Sequence, residues 1–168
     1  MSLDKLEQVI GKRLVLPARL AQWELHFRVA ASEFEVDPLI LAAICDRESL
    51  GGNALDPRGA AGVGDKGHGR GLMQIDDRAH HAWLKQAEWR DALTNIRKGA
   101  EIFAGDLQRF RQQQAPEPTR CALAAYNCGA ATVRKALERS LPVDHFTTKQ
   151  DYSADVTRRY LSFKDLIG

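Results

Sequence analysis

Hydrophobic positions recur at helical spacing over most of the chain. After Pro17, the residues Leu20, Trp23, Phe27 and Ala30/Ala31 predict one helix over Arg19 to Phe34. Asp37-Pro38 reads as a cap followed by a first-turn proline, opening Leu39-Ile40-Leu41-Ala42-Ala43-Ile44-Cys45, which is apolar all round and predicts a buried central helix. Leu93, Ile96, Ala100, Phe103, Leu107 and Phe110 form a stripe on a long helix over Asp91 to Gln112. Ala115-Pro116-Glu117-Pro118 breaks it, and Thr119 is the expected cap of a helix over Arg120 to Cys128. Gly129 is a C-cap or a turn before Ala130 to Arg139, and Tyr152 to Leu166 is the last helix. A short amphipathic start over Ser2 to Lys12 completes a count of about seven.

Between Leu50 and Gly71 helix signals vanish, and Gly, Pro and Asp punctuate the chain. Leu72 to Asp76 reads as a short strand or an extended edge. The expected class is mainly α: helices around a buried central one, with a small β element beside the candidate site. One domain is expected over 1–168, with an N-terminal helical part over 1–36 and the chemistry-bearing core over 37–160.

Composition narrows the function. The chain is 44% hydrophobic and 27% charged, with a formal net charge of +2. That charge is too small to argue for nucleic acid, and no apolar run has the length of a membrane span. No secretory signal is legible in MSLDKLEQVIGKRL. Cys45, Cys121 and Cys128 are odd in number and lack a CxxC, so they predict buried thiols rather than a disulfide framework or a zinc site.

Glu48 lies four residues beyond Ile44, itself four beyond Ile40, so its carboxylate emerges from an apolar face. Burial disfavours the charged form and would raise such a group to about 6, as a general acid needs. The plain alternative is an exposed glutamate at a helix end. The stretch GVGDKGHGRGLMQID, over 62–76, begins with a G-x-G-x-x-G pattern, but a helix precedes it rather than a strand, and no βαβ unit is visible. A calcium loop fails as well, because the alternate positions after Asp65 are Gly67, Gly69 and Gly71. What remains is a glycine-lined backbone that a bulky polymer could approach, or a surface loop, carrying Asp65 and Asp76. A protonatable Glu beside aspartates is the minimum set for glycosidic cleavage. His80-His81 with Asp76 and Asp77 read as helix-face pairs in preference to a metal site. Trp83 and Trp89 read as packing residues before sugar platforms, and Arg158-Arg159 as surface charge.

Arg47-Glu48-Ser49, Gly71-Leu72-Met73-Gln74-Ile75, Asn95-Ile96-x-x-Gly99 and Ala124-Ala125-Tyr126-Asn127-Cys128-Gly129 occur in that order. Together they resemble the motif set of the soluble lytic transglycosylase and goose-type lysozyme superfamily. Gly64-Asp65-x-Gly67-x-Gly69-x-Gly71-Leu72-Met73-Gln74-x-Asp76 and Asp151-Tyr152-x-x-Asp155-Val156 resemble the goose-type branch. The resemblance implies a lysozyme-like fold and a cofactor-free, metal-free peptidoglycan hydrolase. That enzyme cleaves the β-1,4 bond between N-acetylmuramic acid and N-acetylglucosamine, with inversion. Glu48 would be the acid, and Asp65 and Asp76 would position water. Gln74, Tyr126, Asn127, Tyr152, Gly71 and Met73 would bind substrate, although Met73 also fits as packing beneath the floor. The implied partners are peptidoglycan strands and a protein inhibitor of lysozymes. The implied state is a monomer acting at the bacterial cell wall. The alternatives are a lytic transglycosylase forming 1,6-anhydro ends and a non-catalytic wall-binding or phage structural module. Arg70 stands where the goose-type pattern is usually aromatic, and Asp77 directly follows Asp76, leaving open which carboxylate faces inward.

Overall fold

The computed structural model describes residues 13–166, so the amphipathic start expected over Ser2 to Lys12 lies outside the described residues. Within them are eight α-helices and one small sheet. Asp37 accepts a hydrogen bond from the Leu39 amide at 2.9 Å, and Pro38 occupies the first turn, where its missing N–H costs nothing. The helix they start, α3 (Pro38–Ser49), is buried continuously from Leu41 to Asp46. It packs on α2 (Glu24–Phe34) and α8 (Tyr152–Asp165), which makes it the expected central helix. Tyr160 Oη, on α8, donates to Asp37 Oδ2 at 2.9 Å, so the capping residue also ties the two helices.

The helix expected over Arg19 to Phe34 is two: α1 (Ala18–Ala21), then α2 after a break at Gln22 and Trp23. The break follows from Trp23, whose indole N–H donates to the Gly51 carbonyl at 3.0 Å and pins this turn to the end of α3. A six-residue helix, α4 (His81–Gln86), was not expected: it has no side-chain cap and no buried residue to mark it. The long helix is α5 (Ala92–Gln112), capped by Asp91 accepting from the Thr94 amide at 2.8 Å. Its buried stripe starts at Ala92, and Leu93 is only half-buried. Pro118, not Thr119, opens α6 (Pro118–Cys128), because proline suits the first helical position. Gly129, at φ +83°, joins α6 directly to α7 (Ala130–Glu138).

Three two-residue strands, β1 (Val63–Gly64), β2 (Gly69–Arg70) and β3 (Ile75–Asp76), pair antiparallel in chain order. Gly69 sits between Gly64 and Asp76, and Arg70 between Val63 and Ile75. A 3-10 turn, Asp65–Gly67, links β1 and β2. Among the described residues, no helix is long and apolar enough to cross a membrane.

Candidate active site

Glu48 projects from the last turn of α3 into a cavity of about 410 Å³. The cavity is lined by Arg47, Asp65, Gly69, Gln74, Asp76, Arg78, Tyr126, Asn127, Thr148 and Tyr152 as well. Seven of the nine residues named from sequence therefore meet at one place. The two that do not are Gly71 and Met73. Gly71 is buried beneath the floor, where a Cβ would lie 2.3 Å from Asn95 Nδ2. Met73 is fully buried against Gly99, and only its carbonyl reaches toward the site. Gly71 is thereby corrected to a support of the floor, and Met73 takes the packing place beneath it that the sequence also allowed.

The chemistry is set by how differently the carboxyls are housed. Removal from water pushes Glu48 up from 4.5 to about 7. The Tyr152 hydroxyl, which donates to Glu48 Oε1, and the neighbouring Arg47 charge oppose that rise, while Asp65 adds to it. Asp76 goes the other way. Arg78 grips it with Nε at 3.0 Å and Nη2 at 2.5 Å, and the Arg78 amide donates to the same carboxylate at 2.7 Å. The side-chain bonds from Arg78 dominate and hold Asp76 down at about 2. A near-neutral acid and a strongly acidic carboxylate thus line one cavity, which separates proton donor from permanent anion.

Asp77 faces elsewhere. Successive residues of an extended chain point to opposite sides. Within β3, Asp76 accordingly faces the cavity whereas Ile75 enters the core; Gln74 also lines the cavity, and Asp77 is held by His68 Nδ1 at 3.0 Å and Arg70 Nη2 at 2.8 Å. The Arg70 that stands in place of an aromatic residue is thus the partner that takes Asp77 away.

The floor is a packed turn. Asn95, fully buried on α5, accepts from the Met73 amide at 2.8 Å and donates to the Arg70 carbonyl at 3.0 Å. Tyr126 Oη donates to the Met73 carbonyl at 2.8 Å, tying α6 to the same turn. The Gln74 side chain donates to the Gly71 carbonyl at 2.8 Å, and its Oε1 lies where a Cβ of Gly64 or Gly69 would be, at 2.2 and 2.1 Å. These two glycines therefore make room for Gln74, and Gly69 lines the cavity as well. Asp65 and Gln74 both hold left-handed backbone, at φ 44° and 48°, a local cost that sites of this kind concentrate.

The opposite wall depends on α8. Asp144 accepts from the Ser153 and Ala154 amides at 2.7 and 3.1 Å and so caps the helix whose first residue is Tyr152. Arg47 donates to Asp151 and Asp155, each at 2.8 Å, and lies over the Tyr152 ring. Arg159 bonds Asp155 at 2.8 Å and the fully buried Asp46 at 2.5 Å, which Arg19 also holds. Arg159 is therefore a link in an ion-pair chain joining α3 to α8, not simple surface charge. Asn127 Oδ1 accepts from the Thr148 amide at 2.8 Å and braces the rim.

A second cavity, of about 580 Å³, continues from the first through Gln74, Asp76, Tyr126 and Asn127 and runs along α5 to Cys128 and Gly129. His80 lines it, while Trp83 and Trp89 do not. Trp89 is buried beneath Arg70 and Arg90. Cys45 and Cys121 are buried free thiols, and Cys128 is half-buried and unbonded.

A family model described as Lysozyme g matches residues 17–166. Lysozyme G of Dromaius novaehollandiae is 36% identical over 134 residues, covering 77% of this chain and 59% of that protein. Lysozyme g of Takifugu rubripes is 33% identical over 159 residues, covering 89% of this chain and 78% of that protein. The chain belongs to the lysozyme g family. Membrane-bound lytic murein transglycosylase F of Pseudomonas syringae pv. tomato is 33% identical over 122 residues, 72% of this chain but 23% of that protein. The helices and small sheet described above are thus those of a lysozyme g fold, related more distantly to transglycosylases.

Two contributors to this candidate site, Arg78 and Asp144, were not named from the sequence. Arg78 gave no signal beyond being a basic residue two positions after Asp76. Asp144 caps α8 from a loop eight residues before it. Asn95 was named in its motif but without a role, and a buried amide in an apolar face is the signal that could have given it one.

Proposed function

We propose that this chain is a peptidoglycan hydrolase that cleaves the β-1,4 bond between N-acetylmuramic acid and N-acetylglucosamine. Glu48 delivers its proton to the glycosidic oxygen as that bond breaks. A water held by Asp65 and Asp76 attacks the anomeric carbon from the other face, with inversion. Tyr126, Asn127, Gln74 and Tyr152 line the passage of the glycan strand, and the substrate places the enzyme at the bacterial cell wall. One observation carries the reading: Glu48 at about 7 and Asp76 at about 2 share a cavity, so at pH 5 the first is protonated and the second ionised. The continuous second cavity supports a polymeric substrate over a short one.

The test is digestion of purified peptidoglycan followed by mass spectrometry. Reducing muramic acid ends are expected, with a loss of at least about a hundredfold for Glu48→Gln. Abundant 1,6-anhydro ends would mean that the sugar's own 6-hydroxyl attacks, as in a transglycosylase. Equal clearing by both proteins would remove Glu48 as the acid.

A further inference from the structure

Asp65 reaches the cavity from the turn after β1 and Asp76 from β3, and both side chains are partly exposed. Asp65 leaves a left-handed turn with its side chain 64% exposed, and Asp76 ends β3 with its side chain 38% exposed. Arg78 lies between them. Arg78 Nη2 is 2.5 Å from Asp76 Oδ2 and 3.5 Å from Asp65 Oδ2. We infer that Arg78 is the positioning residue of this site: its guanidinium, lying between the two carboxylates, holds them as a pair that orients the attacking water. The inference rests on the hydrolytic roles proposed above for Asp65 and Asp76.

The geometry favours this over a stabilising role. The Arg78 side chain is 60% exposed and supports no core. Among the described residues its side-chain bonds run only to the two cavity carboxylates, and its Nε and Nη2 meet both oxygens of Asp76 in the forked arrangement that a planar guanidinium makes and an ammonium cannot. Two carboxylates on one wall repel, and without a shared cation one of them takes up a proton more readily. The charged surroundings of Asp76 leave Arg78 as the decisive neighbour. Asp65 faces it across the shared guanidinium, and His80 lies behind it in the adjoining cavity. Asp77 is diverted to His68 and Arg70, and across the cavity stand Glu48 and Arg47, the latter taken by Asp151 and Asp155. The Arg78 and Ala79 amides also donate to Asp76, but the side-chain bonds of Arg78 are the largest influence on it.

The experiment combines steady-state kinetics on purified peptidoglycan with carbon NMR titration of the aspartate carboxyls in wild type, Arg78→Gln, Arg78→Lys, Asp76→Asn and the Arg78→Gln/Asp76→Asn double variant. In Arg78→Gln the Asp76 titration should rise toward an ordinary ~3.9, with kcat falling about tenfold to a hundredfold and KM changing by less than about threefold. Arg78→Lys should keep much of the charge effect but little of the rate, since it loses the fork. Unchanged thermal melts of the variants serve as the control of folding. In the Asp76→Asn background, Arg78→Gln should cost far less than it does in wild type. An unmoved Asp76 titration, or an undiminished kcat loss in that background, overturns the proposal. Full activity of Asp76→Asn alone would overturn the role given to Asp76 itself, and that result is separable because it appears with Arg78 intact.

Discussion

Removing the Tyr152 hydroxyl should make the enzyme work at higher pH. Tyr152 donates to Glu48 Oε1 and is fully buried, and burial together with the Glu48 charge holds its own proton tightly. Donation to a carboxylate favours the ionised form, so this bond pulls Glu48 down against a burial effect that nets out at about 7. Tyr152→Phe deletes the bond and leaves the burial. A hydrogen bond to a charged group contributes roughly 1.5–3 kcal/mol, and one pKa unit corresponds to about 1.36 kcal/mol. Glu48 lines an open cavity from which water can replace part of the lost donation, so the lower end applies and Glu48 should move up by about one unit, to about 8. The acid must be protonated, so activity falls as pH rises through its pKa. The basic limb of kcat/KM, which reports the free enzyme, should therefore move up by about one unit in Tyr152→Phe. At pH 5 both proteins hold the proton, and any loss there measures orientation alone. Arg47 stays anchored by Asp151 and Asp155 in either case. The assay is the pH profile on purified peptidoglycan from about pH 4 to pH 10, paired with carbon NMR titration of Glu48. A basic limb that stays in place or moves down would refute the reasoning.

Other perturbations test the frame around the site. Glu48 is raised from 4.5 to about 7, so it costs the fold nothing below 4.5, and the cost grows as pH rises from 4.5 through about 7 and levels off above. Glu48→Gln should then be the more stable protein by up to about 3 kcal/mol at pH 8.5 and no more stable at pH 4, by urea unfolding. Asp46, fully buried between Arg19 and Arg159, is held below its ordinary value by those hydrogen bonds against burial. Its contribution is present above the ordinary carboxylate range and is lost as pH falls through the depressed value. Asp46→Asn should therefore cost about 3 kcal/mol at pH 7, with the gap closing in acid; a gap independent of pH would refute it. Gly69→Ala places a Cβ 2.1 Å from Gln74 Oε1 and should cost about 1–3 kcal/mol. Adding Gln74→Ala should recover most of that, and additive losses in thermal melts would count against the packing role of this glycine.

Legibility in the sequence followed the number of residues that share a signal. The central helix, the long helix α5 and the last helix each carry several turns of apolar spacing, and their boundaries emerged within a few residues of Pro38–Ser49, Ala92–Gln112 and Tyr152–Asp165. The sheet is built from strands of two residues, too short for any alternation to register. Helix α4 buries none of its residues, so nothing in its pattern could announce it. The break at Trp23 comes from a bond to Gly51, 28 positions away, and local spacing carries no trace of a tertiary contact.

The candidate site divides along the same line. Glu48 was accessible because helix periodicity alone turns it toward an apolar face. Asp76 and Asp77 were not separable, since an extended chain specifies only that neighbours diverge, not which of them faces the cavity. The choice is made by residues at a distance: His68 and Arg70 draw Asp77 to the far side, and Arg78 closes on Asp76 from the near side. Arg70 and Asp77 are therefore coupled in the structure, with Arg70 Nη2 2.8 Å from Asp77 Oδ2. A charge at 70 needs a partner, Asp77 supplies it, and the pairing leaves Asp76 as the carboxylate committed to the cavity.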